Sequence, residues 1–208
     1  MTRLADSARS VLAFGAHPDD LEVGAGGLLA RLVRAGSRVT MVVVSIPNRY
    51  EVRTAEARAG ANLIGAQLVF MQPDDVSRIE DLEMHELVAR FDAYVAEHAP
   101  DMVITHAATD LHLDHTLVNR ASISACRRQP CDLLAYMASP DLGTQPRPIG
   151  TCFADITSTI DIKLAAMAVH ASQITPRSIE SKRDAARATG RLCGHEYAEA
   201  FDLLRLRV

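Results

Sequence analysis

The strongest constraint in this chain is a rhythm. Up to Ala138, apolar runs of strand length alternate with stretches of helical period: SVLAFGA, then a helix from about Leu21 to Ala35; RVTMVVVS, then Thr54 to Ile64; QLVFM, then Asp81 to Glu97; DMVITHA, then Asp114 to Cys126; and DLLAYMA. Strands rich in Val, Ile and Leu bury both faces, and right-handed crossovers lay the intervening helices over them. The rhythm therefore predicts an α/β fold built on a mostly parallel sheet with helices on both faces.

Beyond Ser139 the pattern changes. SPDLGTQPRPIG concentrates Pro and Gly and reads as a surface loop, followed by TCFADI as a last strand and by C-terminal helices at 158–174, 178–194 and 196–206. With 208 residues and no internal repeat, the chain reads as one domain. Its 22 basic and 26 acidic side chains are interspersed, which leaves no basic face to follow a phosphate backbone and excludes nucleic acid as the expected partner. Asp6 and Arg9 interrupt the region where a secretory leader needs its apolar run, and no later segment reaches membrane-spanning length, so the expectation is a cytoplasmic protein without a membrane partner. Cys126, Cys131, Cys152 and Cys193 form no C-x-x-C pair and read as reduced thiols.

Packing does not ask for FGAHPDDLEVGAGG, residues 14–27. An apolar strand runs into His17, Pro18, Asp19 and Asp20, at the strand end where ligands gather in an open parallel sheet. THAATDLHLDH follows a second strand in the same way, so Asp110, His112, Asp114 and His115 share that rim. Pro18 holds His17 extended while the turn into the helix brings Asp20 back toward it. His17, Asp20 and the distant His115 would make a three-ligand site with an open position, as hydrolytic zinc requires, with Asp19 left to accept a proton from water. The competing reading is that Asp19 and Asp20 cap the helix. Gly24, Gly26 and Gly27 each cost about 1 kcal/mol in a helix relative to Ala, and either close approach to the metal loop or plain helix-to-sheet contact would offset it.

With those motifs, the chain resembles the PIG-L/LmbE-like family of metal-dependent N-acetyl-sugar deacetylases. AHPDDLEVGAGG is close to the family's first motif and DLHLDH fits its D-x-H-x-D-H second motif, while KLAAMAVHASQ and ARATGRLCGHEYAEAF resemble its C-terminal segments. The resemblance implies a single Rossmann-like domain over residues 1–208 and a Zn2+ cofactor, with Fe2+ or another divalent ion as an alternative. It implies His17, Asp20 and His115 as ligands and Asp19 as general base. It also implies His112 as oxyanion stabiliser or acid, Asp114 orienting or tuning His112, and Arg53 and Asp74 at the substrate. An exposed ion pair at a helix start accounts equally for Arg53 and Asp74. The glycine-rich loop with a Gly-Thr pair that many members carry after the second strand is replaced by the shorter SIPNRYEVRTAEA.

The expected reaction is removal of an N-acetyl group from an amino sugar or its conjugate. Zinc lowers the pKa of its water from about 15.7 toward 7, Asp19 takes the proton, and protonated His112 meets the charge on the former carbonyl oxygen. Two alternatives stay open: a two-metal phosphoesterase, and a non-catalytic sugar-binding subunit of the same fold. A non-haem iron oxygenase fits less well, since those sites use H-x-D on a barrel. The partner is a small N-acetylated amino sugar or conjugate; the resemblance implies a homo-oligomer, and the chain itself leaves that open.

Overall fold

The computed structural model describes residues 8–72, 76–138 and 150–207. Asp74 and all but the last residue of loop 139–150 lie outside them. The described elements are β1 (Ser10–Gly15), α1 (Asp20–Arg34), β2 (Arg38–Val43), α2 (Tyr50–Ile64), β3 (Gln67–Phe70), a 3-10 turn (Ile79–Asp81), α3 (Met84–His98) and β4 (Met102–His106). There follow α4 (Leu113–Ala125), β5 (Asp132–Tyr136), β6 (Cys152–Asp155), α5 (Ile160–Ala168), α6 (Pro176–Cys193) and β7 (Ala198–Arg205).

The seven strands form one sheet in the order β3-β2-β1-β4-β5-β7-β6, parallel except for β7, which is antiparallel to both its neighbours. Strand order reverses between β1 and β4, so the loops leaving these two adjacent strands part and open a crevice at their carboxyl ends. HPDD leaves β1 there, and the DLHLDH loop leaves β4.

Alternation along β1 explains why both faces are apolar. Val11 and Ala13 join a core with Leu28, Leu29 and Leu32 of α1 and Ala166 of α5. Leu12 and Phe14 face the other way, toward Leu87 and Phe91 of α3 and Val118 and Ala121 of α4. Phe14 stacks on Phe91 with ring centroids 4.3 Å apart.

Three C-terminal expectations are corrected. Residues 196–206 do not form a helix: Ala198–Arg205 is β7. The Ala, Glu and Leu in this run favour a helix, but pairing with β5 on one side and β6 on the other supplies ladder bonds that override local propensity. TCFADI is consequently not the last strand but the sheet edge, β6. The helix expected over 158–174 stops at Ala168, and His170 lies in the turn after it, with backbone bonds from Gln173 and Ile174 to its carbonyl. α2 begins at Tyr50 rather than Thr54, and the expected helix start at Asp81 is the 3-10 turn, with α3 starting at Met84.

The glycines of α1 serve close approach. A Cβ on Gly24 would sit 2.0 Å from the ring of Tyr136 on β5, and one on Gly27 would sit 2.7 Å from Ile156. The ring of Tyr136 cannot retreat, because it is buried and its hydroxyl donates to the Phe14 carbonyl at 2.9 Å. Gly24→Ala should therefore cost about 3 kcal/mol, at the upper end of ordinary overpacking. Differential scanning calorimetry should record a fall in Tm of roughly 10 °C for a chain this long; an unchanged Tm would show that the contact is not tight.

Candidate active site

The HPDD loop is strained rather than capped. Asp19 has φ 100°, a left-handed conformation that a residue with a Cβ holds at a cost of about 1–3 kcal/mol, and its side chain makes no capping bond to α1. The carboxylate that closes the turn is that of Asp20, whose Oδ2 accepts the His17 N–H at 2.7 Å. Asp19 is thus left for another use. Burial first, then the charge of Asp20, pushes its carboxyl up to about 7 against the opposing pull of Arg53. Arg53 is buried rather than forming an exposed ion pair: its Nη2 donates to the Pro18 carbonyl at 3.0 Å and lies 3.6 Å from Asp19 Oδ1.

Across the crevice, His115 on α4 points at Asp20, with Nε2 3.3 Å from Oδ1. Its other nitrogen, Nδ1, is 3.0 Å from Asp110 Oδ1. A proton on Nδ1 directed at Asp110 leaves the Nε2 lone pair facing a carboxylate, an arrangement that needs a positive charge between them. Without a metal that charge is a proton: burial opposes it, but the hydrogen bonds to Asp110 and Asp20 outweigh burial and push His115 up to about 10. His17 repeats the pattern, since Nε2 contacts Asp114 Oδ2 at 2.9 Å while Nδ1 faces Asp20 Oδ2 at 3.7 Å. His17, Asp20 and His115, all buried, each offer a ligand atom within 4.8 Å of the others.

Two imidazoles and a carboxylate are a donor set that fits Zn2+, and the same donors accept Fe2+. Two further groups, His17–His112–Asp114 and His106–Asp110–His115, share His17 or His115 with the first.

Asp110 anchors this arrangement, accepting from the amides of His112 at 3.1 Å and Ala138 at 3.2 Å as well as facing His115. If His115 ligates a cation, Asp110→Asn should weaken zinc binding about 10- to 100-fold, as loss of a partner behind a histidine ligand typically does. Competition with a chromogenic chelator measures it, and undiminished affinity would remove Asp110 from the ligand's support.

His106 at the end of β4 is fully buried, and its Nε2 accepts the Ala16 N–H at 3.0 Å. A backbone amide can only donate, so this nitrogen carries no proton, and its 3.3 Å approach to Asp20 Oδ2 is not an ion pair. Burial holds His106 below the usual range, in agreement. Its ring stacks on His115 at 4.0 Å and helps fix that side chain's orientation.

Asp114 touches His112 through its backbone rather than its carboxylate. The Asp114 carboxylate meets His17, while its backbone N–H donates to His112 Nδ1 at 3.2 Å. Nδ1 is therefore unprotonated, and burial together with the charges of His115 and His17 lowers the pKa of His112 further. The imidazole is neutral with its proton on Nε2. Asp74, the remaining expected site residue, falls outside the described residues.

The family model described as PIG-L, GlcNAc-PI de-N-acetylase, matches residues 12–126, which contain both polar clusters. The chain belongs to the PIG-L family. It is 29% identical over 178 residues to the uncharacterized deacetylase YaiS of Escherichia coli (strain K12), across 81% of this chain and 94% of YaiS. In fold it matches the N,N'-diacetylchitobiose deacetylase of Pyrococcus horikoshii with TM-score 0.78 and 20% identity, covering 97% of this chain and 85% of the other. It also matches GalB, the 4-carboxy-2-hydroxymuconate hydratase of Pseudomonas putida KT2440, with TM-score 0.78 and 23% identity over 96% and 98% of the two chains.

Sequence reasoning assigned no role to Asp110, although it stands in the second motif, and left His106 between a support behind a metal ligand and a hydrogen-bonded rim histidine. It also passed over Glu22, which is buried with its Oε1 3.2 Å from His170 Nε2. A cavity of about 250 Å³ lies between α6 and the β5-β7-β6 side of the sheet and reaches Val23 and Gly24 of α1, Lys163 of α5 and Glu199 of β7; none of the clustered His and Asp residues lines it. Among the described residues, no helix is long and apolar enough to cross a membrane.

Proposed function

We propose that this protein hydrolyses the N-acetyl amide of an amino sugar or amino-sugar conjugate, releasing acetate and the free amine, with a divalent cation held by His17, Asp20 and His115. Zn2+ is the first candidate. The observation that carries this reading is the meeting of two motifs at the switch point: Asp20 of the first lies 3.3 Å from His115 of the second, beside an Asp19 that is strained and makes no cap.

When bound, such a cation acidifies a coordinated water and polarises an amide carbonyl. The chain's own residues do the rest. Asp19, titrating near neutrality through burial, accepts a proton from the attacking water and hands it to the departing nitrogen, which cannot leave as an amide anion. His112 presents Nε2–H to the carbonyl oxygen as negative charge gathers there, acting as a neutral donor rather than the imidazolium expected from sequence. Asp114 orients His17 through Nε2 and, through its backbone, fixes the tautomer of His112. Arg53 holds the Pro18 carbonyl beside Asp19 and remains a candidate substrate contact, as does Asp74.

The deacetylase relatives support the reaction, and GalB is a reminder that one fold hosts other chemistry. A panel of N-acetyl amino sugars and their glycosides, assayed for free amine with zinc-loaded protein, tests it. Amine release that disappears with chelator is expected; no release from any member at high enzyme concentration would reject the reading. The phosphoesterase alternative requires two metals per chain, whereas metal analysis should return one.

A further inference from the structure

Helix α1 carries Asp19 and Asp20 at its start, and its middle is held by side chains from elsewhere. The Val23 carbonyl and the Gly27 amide are an ordinary i, i+4 pair of the helical ladder. Here Lys163 Nζ donates to the Val23 carbonyl at 2.7 Å and to the Glu22 carbonyl at 3.2 Å. Four residues on, Glu199 Oε1 accepts the Gly27 N–H at 3.0 Å and Oε2 accepts the Leu28 N–H at 2.8 Å. The two side chains close on each other at 2.6 Å, both buried, and the Thr159 hydroxyl donates to the Gly27 carbonyl at 2.8 Å. Lys163 comes from α5 and Glu199 from β7, so two late elements of the chain meet on the backbone of an early helix.

A buried ion pair is expensive to desolvate and is a poor way to gain stability, since apolar residues of similar size often serve as well. Its geometric effect is specific. Bonded to carbonyls of one turn and amides of the next, the pair ties the first turn of α1 to the rest of the helix. The link to the site is short, because the Val23 amide donates to the Asp19 carbonyl at 2.9 Å.

We propose that Lys163 and Glu199 are positioning residues: a buried clasp that, through the backbone of Glu22 and Val23, holds Asp19 and Asp20 where the cation and the water require them. This rests on the metal-dependent reading of the site given above, and the clasp acts on its geometry rather than on substrate. Cobalt(II) titration of the full chain, read by its visible absorption, tests the proposal without reference to activity. Lys163→Met and Glu199→Gln should each bind cobalt about 10- to 100-fold more weakly, with a shifted spectrum. Leu164→Ala, a core truncation next to the clasp, should lower Tm while leaving affinity and spectrum as in the unaltered protein. Glu199→Gln keeps size and one acceptor, so it serves if Lys163→Met does not fold. Normal cobalt affinity and spectrum in Glu199→Gln, or an equal shift in Leu164→Ala, would overturn the clasp alone. Failure of the unaltered protein to bind cobalt would overturn the clasp and the metal reading together.

Discussion

Asp19→Asn is expected to leave a folded, cation-binding protein that releases amine at least about 10²-fold more slowly. A positioned general base contributes typically 10²- to 10⁴-fold, and asparagine keeps the shape of aspartate while losing the ability to take a proton. Asp19→Gly sharpens the expectation. With φ at 100°, the position suits glycine, so relief of strain worth about 1–3 kcal/mol should raise Tm or hold it level while turnover falls as far as in the asparagine variant. Opposite signs for stability and activity at one residue mark strain kept for function. If Asp19→Gly lost stability, or either variant kept its rate, Asp19 would be structural. The measurements are initial rates of amine release and thermal denaturation of zinc-loaded protein.

His115→Ala is expected to have a still larger effect. The imidazole stands between Asp20 and Asp110 and stacks on His106, so its removal takes away a proposed ligand atom and leaves two buried carboxylates facing a void. Metal analysis should find less than a tenth of the zinc of the unaltered protein after dialysis, and amine release should drop to background. Breaking a buried charge pair by removing one partner typically costs about 3–5 kcal/mol, so the apo variant should also melt well below the apo parent near neutral pH. Zinc retained in stoichiometric amount by His115→Ala would exclude His115 as a ligand.

Much of this was legible in the sequence because the informative signals are local. The βα rhythm reports burial on both sheet faces, and right-handed crossovers lay helices over both, whereas the strand order exists only in the folded sheet. The two polar loops stand out because packing gives no reason for charged residues at strand ends. The C-terminal third was harder to read. Ala198–Arg205 has the composition of a helix, and only its partners β5 and β6, distant in the chain, make it a strand. The same distance hid the site's supports. Nothing near Lys163 or Glu199 announces that each ends inside α1, and no spacing rule places the Asp114 carboxylate on His17 rather than His112. The protonation of His112 and His106 turns on single backbone amides, those of Asp114 and Ala16, whose direction exists only in the folded chain.

The proposed shared cation is most directly tested by anomalous diffraction at the zinc edge from crystals of the zinc-loaded protein. One strong peak is expected, about 2.0–2.2 Å from His17 Nδ1, an Asp20 oxygen and His115 Nε2. A peak seated instead on His112 and Asp114, or no ordered ion near Asp20, would contradict it.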